Sequence, residues 1–242
     1  MLKNSIRGTK DFLLYTRIFK LFKPLKGISK SIDSFSSLTS WVSEVNKKDL
    51  LINDFYSPKR DHSKRFQLHE KVVKAYNLDS KTINYMEFGV AAGASFKWWL
   101  NTNKSPQSRF TGFDTFEGLP EDWGTYKKGA MSSAIPQIDD KRGEFIKGLF
   151  QDTLLQFINK NPNLFGEQVN VIHLDADLFT ATIFVLTQLY RYLKKGDIIF
   201  FDEFNVPNHE YLAYQIFVNS FDIKLKPLGA VNNFYQVAFV VE

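Results

Sequence analysis

The sequence predicts an α/β fold, an open and mostly parallel sheet of seven strands with helices on both faces, preceded by a helical N-terminal extension. Three observations carry this expectation. Short, largely apolar runs at 82–88, 109–114, 169–174 and 197–201 alternate with segments of helical periodicity, the pattern of strands buried on both faces. Four strands end in acids: Glu87, Asp114, Asp175 (with Asp177) and the pair Asp202-Glu203. The first of them runs straight into a tight turn and a helix start, Glu87-x-Gly89-x-x-x-Gly93.

The 242 residues fit one large domain with an extension. We divide them into a basic helical extension, 1–56, and an α/β body, 57–242. There is no cysteine, which excludes disulfide scaffolds, zinc–thiolate centres and cysteine nucleophiles and permits a reducing cytoplasm. No apolar run approaches the roughly 18 residues of a membrane span, and the first residues lack the apolar block of a signal peptide. The chain is therefore expected in the cytoplasm. The formal charge of +5 is uneven: residues 1–30 hold eight Lys and Arg against Asp11 alone. The body is left slightly acidic, so nucleic acid is not an expected partner.

Taken in order, residues 6–26 alternate cations with an apolar stripe at 14, 18, 21, 22 and 25. Three readings compete for residues 1–30: a helix packed on the body or on a second subunit of a homo-oligomer, a basic amphipathic helix on an anionic membrane surface, and an unstructured leader. The Ser-rich stretch 28–40 reads as a linker, Trp41 to Phe55 as a short helix, and His62 to Tyr76 as a helix covering the cleft. The first strand, Thr82–Phe88, leads to a helix from about Ala92 to Asn101. Arg109–Asp114 is the second strand. Residues 115–143 form a long irregular segment of the kind that serves as a lid, with Trp123 and Tyr126 placed to cover a substrate. Glu144–Leu149 reads as a third strand, followed by a helix capped near Asp152 or Thr153. Val169–Leu174 and Asp197–Phe201 are the fourth and fifth strands. A helix over Asn208–Ser220 precedes two last strands at Phe221–Pro227 and Gln236–Val241.

Glycine at 89 and 93 permits positive φ and close backbone approach, and the helix that follows offers unpaired N–H groups. Asp114 follows Gly93 by about the ~20 residues that separate a glycine turn from a ribose-binding acid in Rossmann-like units. Ligands of open parallel sheets lie beyond the carboxyl ends of the strands. Acids gathered there repel one another, so a cation or several hydroxyls should meet them. A sulfonium cofactor with a ribose and an amino-acid tail does so. Oxygen ligands from Asp175, Asp202 and Glu203 also suit Mg²⁺ or another hard divalent cation, and Asp175, or else Asp177, is placed to act as general base. His209 lies six residues past Glu203 and is a second candidate for the catalytic set. Two rivals fit parts of this pattern. Asp175-Ala176-Asp177 after an apolar strand is also how a metal-dependent glycosyltransferase holds a nucleotide sugar, and a degenerate chain would only bind a partner.

Five stretches in succession resemble the signatures of the macrocin O-methyltransferase family, class I S-adenosylmethionine-dependent enzymes that methylate sugar hydroxyls with a metal. They are Glu87–Ser95, Gly112–Pro120, Gly148–Leu154, His173–Phe179 and Asp202-Glu203-Phe204. The resemblance covers roughly residues 60–242. It implies that Glu87, Phe88, Gly89, Gly93 and Ser95 line the methionine part of the cofactor and that Asp114 and Thr115 hold the ribose. It implies further that the turn with Gly148, Phe150 and Gln151 sits by the adenine. Asp175, Asp202 and Glu203 would be the metal triad, with Asp175 at the methyl-transfer centre and a small-molecule or glycan acceptor above it. The chain departs from the family pattern in a thinned glycine turn, Val90-Ala91-Ala92, and in Asp202-Glu203-Phe204 where paired aspartates and a tyrosine are usual.

Overall fold

The structure, a computed structural model, describes residues 26–242 together with 12, 13, 15–17 and 20. The apolar stripe of the leader, at 14, 18, 21, 22 and 25, therefore lies outside the described residues. Helices α1 (Lys26–Glu44) and α2 (Lys64–Tyr76) precede strand β1 (Ile83–Phe88). There follow α3 (Ala94–Thr102), β2 (Arg109–Asp114), β3 (Gly143–Lys147), α4 (Phe150–Lys160), β4 (Val169–Leu174) and α5 (Phe179–Leu189). The chain finishes with β5 (Ile198–Phe201), α6 (Glu210–Ser220), β6 (Leu225–Val231) and β7 (Gln236–Val241).

The seven strands form one sheet in the order β3-β2-β1-β4-β5-β7-β6. Strands β1 to β5 are parallel to one another, and β7 enters antiparallel to both β5 and β6. The order reverses direction at β1 and β4, which opens a crevice beyond their carboxyl ends. Every residue of β1, β5 and β7 is buried, because helices cover both faces. The alternation of a strand divides the core in two. Met86 and Phe88 face α1, α4, α5 and α6, whereas Ile83 and Tyr85 face α2 and α3.

The fold expectation holds, and several local ones change. The serine-rich stretch 28–40 is helical and belongs to α1. Serine is only mildly unfavourable in a helix, and packing decides the matter here. Leu38 is buried in the core, Ser37 hydrogen-bonds Tyr211 at 3.0 Å, and the Trp41 indole N–H donates to the Tyr214 hydroxyl at 3.2 Å. The helix expected over Trp41–Phe55 instead ends at Glu44. A 3-10 turn over Lys47–Asp49 leads to an edge contact in which the Leu51 N–H donates to the Leu228 carbonyl and Asn53 bridges Ala230. Packing is thus continuous across residue 56. Helix α3 starts two residues late, after Gly93 in the left-handed region. Helix α4 starts at Phe150 with Leu149 as its cap. Strand β6 lies further along than expected, with a register shift between Pro227 and Gly229, because proline has no N–H to give the ladder.

Candidate active site

The backbone ladder continues one residue past the strands. The N–H of Gly89 donates to Phe113, Asp175 to Phe88, Asp202 to Leu174 and Gly148 to Asp114, each at 2.9–3.0 Å. These bonds bring the predicted turn and acids side by side at one sheet edge. Gly89 is required there twice over. Its φ is +96°, and a Cβ would stand 1.8 Å from the Asp175 carbonyl oxygen. Gly93, at φ +77°, turns the chain into α3 and meets Pro136 of the lid segment, where a Cβ would fall 2.8 Å from the proline ring. The Asp114 carboxylate ties the turn down. Its Oδ2 accepts from the N–H groups of Val90 at 2.7 Å and Ala91 at 2.8 Å, and its Oδ1 from Phe116 at 2.7 Å.

An open cleft of about 780 Å³ lies above this edge. Of the expected cofactor residues, Gly89, Asp114, Thr115, Phe150, Gln151 and Asp175 line it, joined by Asp177. Glu87, Phe88, Gly93 and Ser95 are buried and Gly148 is half-buried, and none of them is part of its wall. The segment 115–143 forms part of the cleft wall through Gly118, Leu119, Pro120 and Met131. Trp123 and Tyr126 stack on each other at 5.5 Å between ring centroids and are not in the cleft wall. Glu121 accepts a hydrogen bond from Thr180 of α5 at 3.3 Å. His209 meets Trp123 edge-on at 6.5 Å, and its Nδ1 accepts from the Phe179 N–H at 3.4 Å. That ring is engaged at the start of α5, with no hydrogen bond to the acids.

Beneath the cleft six carboxylates gather: Glu87, Asp175, Asp177, Asp202, Glu203 and Glu210. Among the described residues one cation is paired with them. Arg65, in the first turn of α2, reaches Asp202 Oδ2 at 2.8 Å and Asp175 Oδ2 at 3.3 Å. Burial alone would lower its pKa, but the charges of Asp202 and Asp175 raise it. Burial, with repulsion from Asp202, pushes Asp175 up to about 8. Burial and the Asp175 charge push Asp177 up to about 7. Burial also drives Glu203, Glu210 and Glu87 well above the carboxylate range. The Tyr85 hydroxyl, which donates to Glu87 and contacts His173 Nδ1 at 3.0 Å, works against that shift in Glu87. Tyr235 donates to Glu203 Oε1 at 3.1 Å, and Glu210 accepts from the Glu203 N–H at 2.9 Å.

The cluster has the chemistry of a hard-cation site. Its donors are almost all oxygens, and Asp202 Oδ1, Glu203 Oε2 and Glu210 Oε1 are buried without a hydrogen-bond partner. Buried polar atoms without partners are uncommon and mark an unmet need. Ligand atoms lie within 4.8 Å of one another in two groups, His173–Asp175–Asp202 and Asp175–Asp177–Glu203. The three expected ligands fall across these groups, with Asp175 common to both. Arg65 escaped the sequence reading, although a signal was present. It sits three and four residues before Leu68 and His69, on the buried face of α2, where an unpaired charge is not tolerated.

The strand order and the cleft at the strand ends are those of the class I S-adenosylmethionine-dependent methyltransferase fold. Residues 86–204 match the family described as a methyltransferase domain, in line with the macrocin O-methyltransferase resemblance of the five signatures. A comparison with curated proteins gave no match. Among solved structures the chain is similar to the calicheamicin methyltransferase CalS11, with 22% identity, TM-score 0.58, and 86% of this chain and 91% of that chain covered. A second structure of CalS11, described as a TDP-rhamnose 3'-O-methyltransferase, gives 22% identity, TM-score 0.52, and 86% and 93% coverage. The O-methyltransferase NovP is similar at 18% identity, TM-score 0.52, with 69% and 74% covered. At these identities the likeness speaks for the fold. The methyltransferase match sets the glycosyltransferase reading aside. Among the described residues no helix is long and apolar enough to cross a membrane.

Proposed function

We propose that the chain is an O-methyltransferase acting on a hydroxyl of a sugar, glycan or other polyol, assisted by a divalent cation such as Mg²⁺. The observation that carries this reading is the carboxylate cluster directly below the cleft, with partnerless buried oxygens suited to a hard cation. S-adenosylmethionine supplies an electrophilic methyl group on sulfur. We assign its methionine end to the turn Glu87–Gly93 and Ser95, its ribose to Asp114 and Thr115, and its adenine to Gly148, Phe150 and Gln151. A divalent cation held by Asp175, Asp202 and Glu203, with Asp177 beside them, would orient an acceptor diol and favour loss of its proton. Asp175 or Asp177 takes that proton, since both carboxylates line the cleft where the acceptor would lie. His209, engaged with Phe179, has the weaker claim to the catalytic set.

The test is Asp175→Asn, which keeps shape and removes charge. Turnover of a sugar acceptor should fall by at least about 100-fold, while S-adenosylhomocysteine affinity changes little. Normal turnover in that variant would overturn the assignment of base and metal. We further place the enzyme in the cytoplasm, at an anionic membrane surface reached through residues 1–30, a reading supported by the eight cations of that segment and the exposed Ile28, Ile32 and Phe35 of α1. Co-sedimentation with phosphatidylserine vesicles, equal with and without residues 1–30, would sink it.

A further inference from the structure

The guanidinium of Arg65 stands where two members of the carboxylate cluster converge. It touches both Asp175 and Asp202, and those two acids with His173 make up one of the two groups of converging ligand atoms. The other group, Asp175–Asp177–Glu203, shares only Asp175 with it. The Arg65 side chain is 19% exposed and that of Asp202 1%, so solvent screens their contact weakly. Asp202 has little other support: Gln236 reaches its Oδ2 at 3.5 Å, and its Oδ1 has no hydrogen-bond partner. The His173 ring, 4.0 Å from that oxygen, is held neutral by burial. Arginine presents several N–H groups in a fixed fork and keeps its charge under all ordinary conditions. It can therefore bridge two acids as a metal does, without being lost to dilution.

We propose that Arg65 is a built-in cation that occupies the Asp175–Asp202 face of the cluster and competes there with a divalent ion, so that this residue sets how tightly the protein binds metal. The inference rests on the metal-assisted reading given above. A metal at the other group, Asp175–Asp177–Glu203, would share Asp175 with the guanidinium and be weakened by like-charge repulsion. One on the Asp202 face would have to displace the side chain. In both cases removing the positive charge strengthens metal binding, whereas in a purely structural role Arg65 would affect folding and leave metal affinity where it was.

The experiment titrates the full-length protein with Mn²⁺, following free Mn²⁺ by its electron paramagnetic resonance signal, with no cofactor present. R65Q should bind Mn²⁺ at least about tenfold more tightly than the wild type, since a repelling unit charge a few ångströms away is gone. Its melting temperature should fall in EDTA and recover with Mn²⁺. R65K keeps the charge but loses the fork; its affinity should fall between the two, and it decides the matter alone if R65Q does not fold. Equal Mn²⁺ affinity in the wild type and the folded variants overturns the role of Arg65 and leaves the metal reading standing. No Mn²⁺ binding by any form, with S-adenosylhomocysteine still bound, overturns the metal reading and this inference together.

Discussion

Single residues at the strand ends carry much of the architecture. Gly89 has no substitute, because its neighbour across the turn is a backbone carbonyl that cannot swing away. Gly89→Ala should lower the unfolding free energy by roughly 3 kcal/mol or more, combining a forbidden φ with a backbone clash; urea unfolding measures it. His69 makes a prediction about pH. It is buried among Trp98, Trp99, His173 and Phe200, and burial, with repulsion from His173 and Arg65, holds its pKa well below 6.5. The unfolded chain takes up a proton near 6.5 that the folded chain refuses, so this residue's share of stability is present above 6.5 and is lost as pH falls below it. His69→Leu should remove up to about 1.4 kcal/mol per pH unit from the acid-side slope. Urea unfolding between pH 6.5 and 4.5, compared with the wild type, reads this out, and parallel slopes would contradict it.

At the scale of elements, α1 shows how packing overrides composition. Trp41 lies against Phe204 at 4.9 Å, Tyr214 and Phe234 at 5.8 Å, and Phe239 at 5.9 Å. These rings come from α6, the segment after β5, and the strand pair β6–β7, so one side chain fastens the extension to three parts of the body. Trp41 is partly buried against the core, so Trp41→Ala should cost about 2–4 kcal/mol, somewhat less than removal of a fully buried aromatic; calorimetric or denaturant unfolding would show it, and a cost under 1 kcal/mol would mean α1 is merely lodged on the surface. The same logic applies to α2. Its apolar stripe at Leu68, Val72 and Val73 anchors it to the sheet, and that anchoring is what delivers Arg65 to acids more than 100 positions away.

Over the whole molecule, stability should grade outward from the centre of the sheet. Strands β1 and β4 are flanked by strands on both sides and buried throughout or nearly so, whereas β3 is an edge strand with exposed or half-buried side chains. Native-state hydrogen exchange should find β1 and β4 amides opening only with global unfolding. Those of β3 should open at least about 2 kcal/mol more easily, in the range of sub-global openings. Uniform protection across the sheet would refute that gradient. The cleft sits at the crossover between β1 and β4, so the firmest part of the protein carries the turn and Asp175, while the segment 115–143 that walls the cleft crosses from β2 to the weaker edge strand.

The alternation of apolar runs with helical periodicity was enough to define the sheet and its helices, because strands buried on both faces and amphipathic helices leave local marks in the chain. Acids at the ends of four strands and the spacing from Gly93 to Asp114 were enough to mark the sheet edge where the cleft lies, since a parallel sheet must bring strand ends together. Three-dimensional packing alone decided that the serines at 28–40 are helical and that His209 is held by Phe179 and Trp123. It also decided that Arg65 meets Asp175 and Asp202. None of these has a local signature that fixes its partner: each depends on which distant surface folding brings against it, and burial then forces every charge so enclosed to find an opposite one.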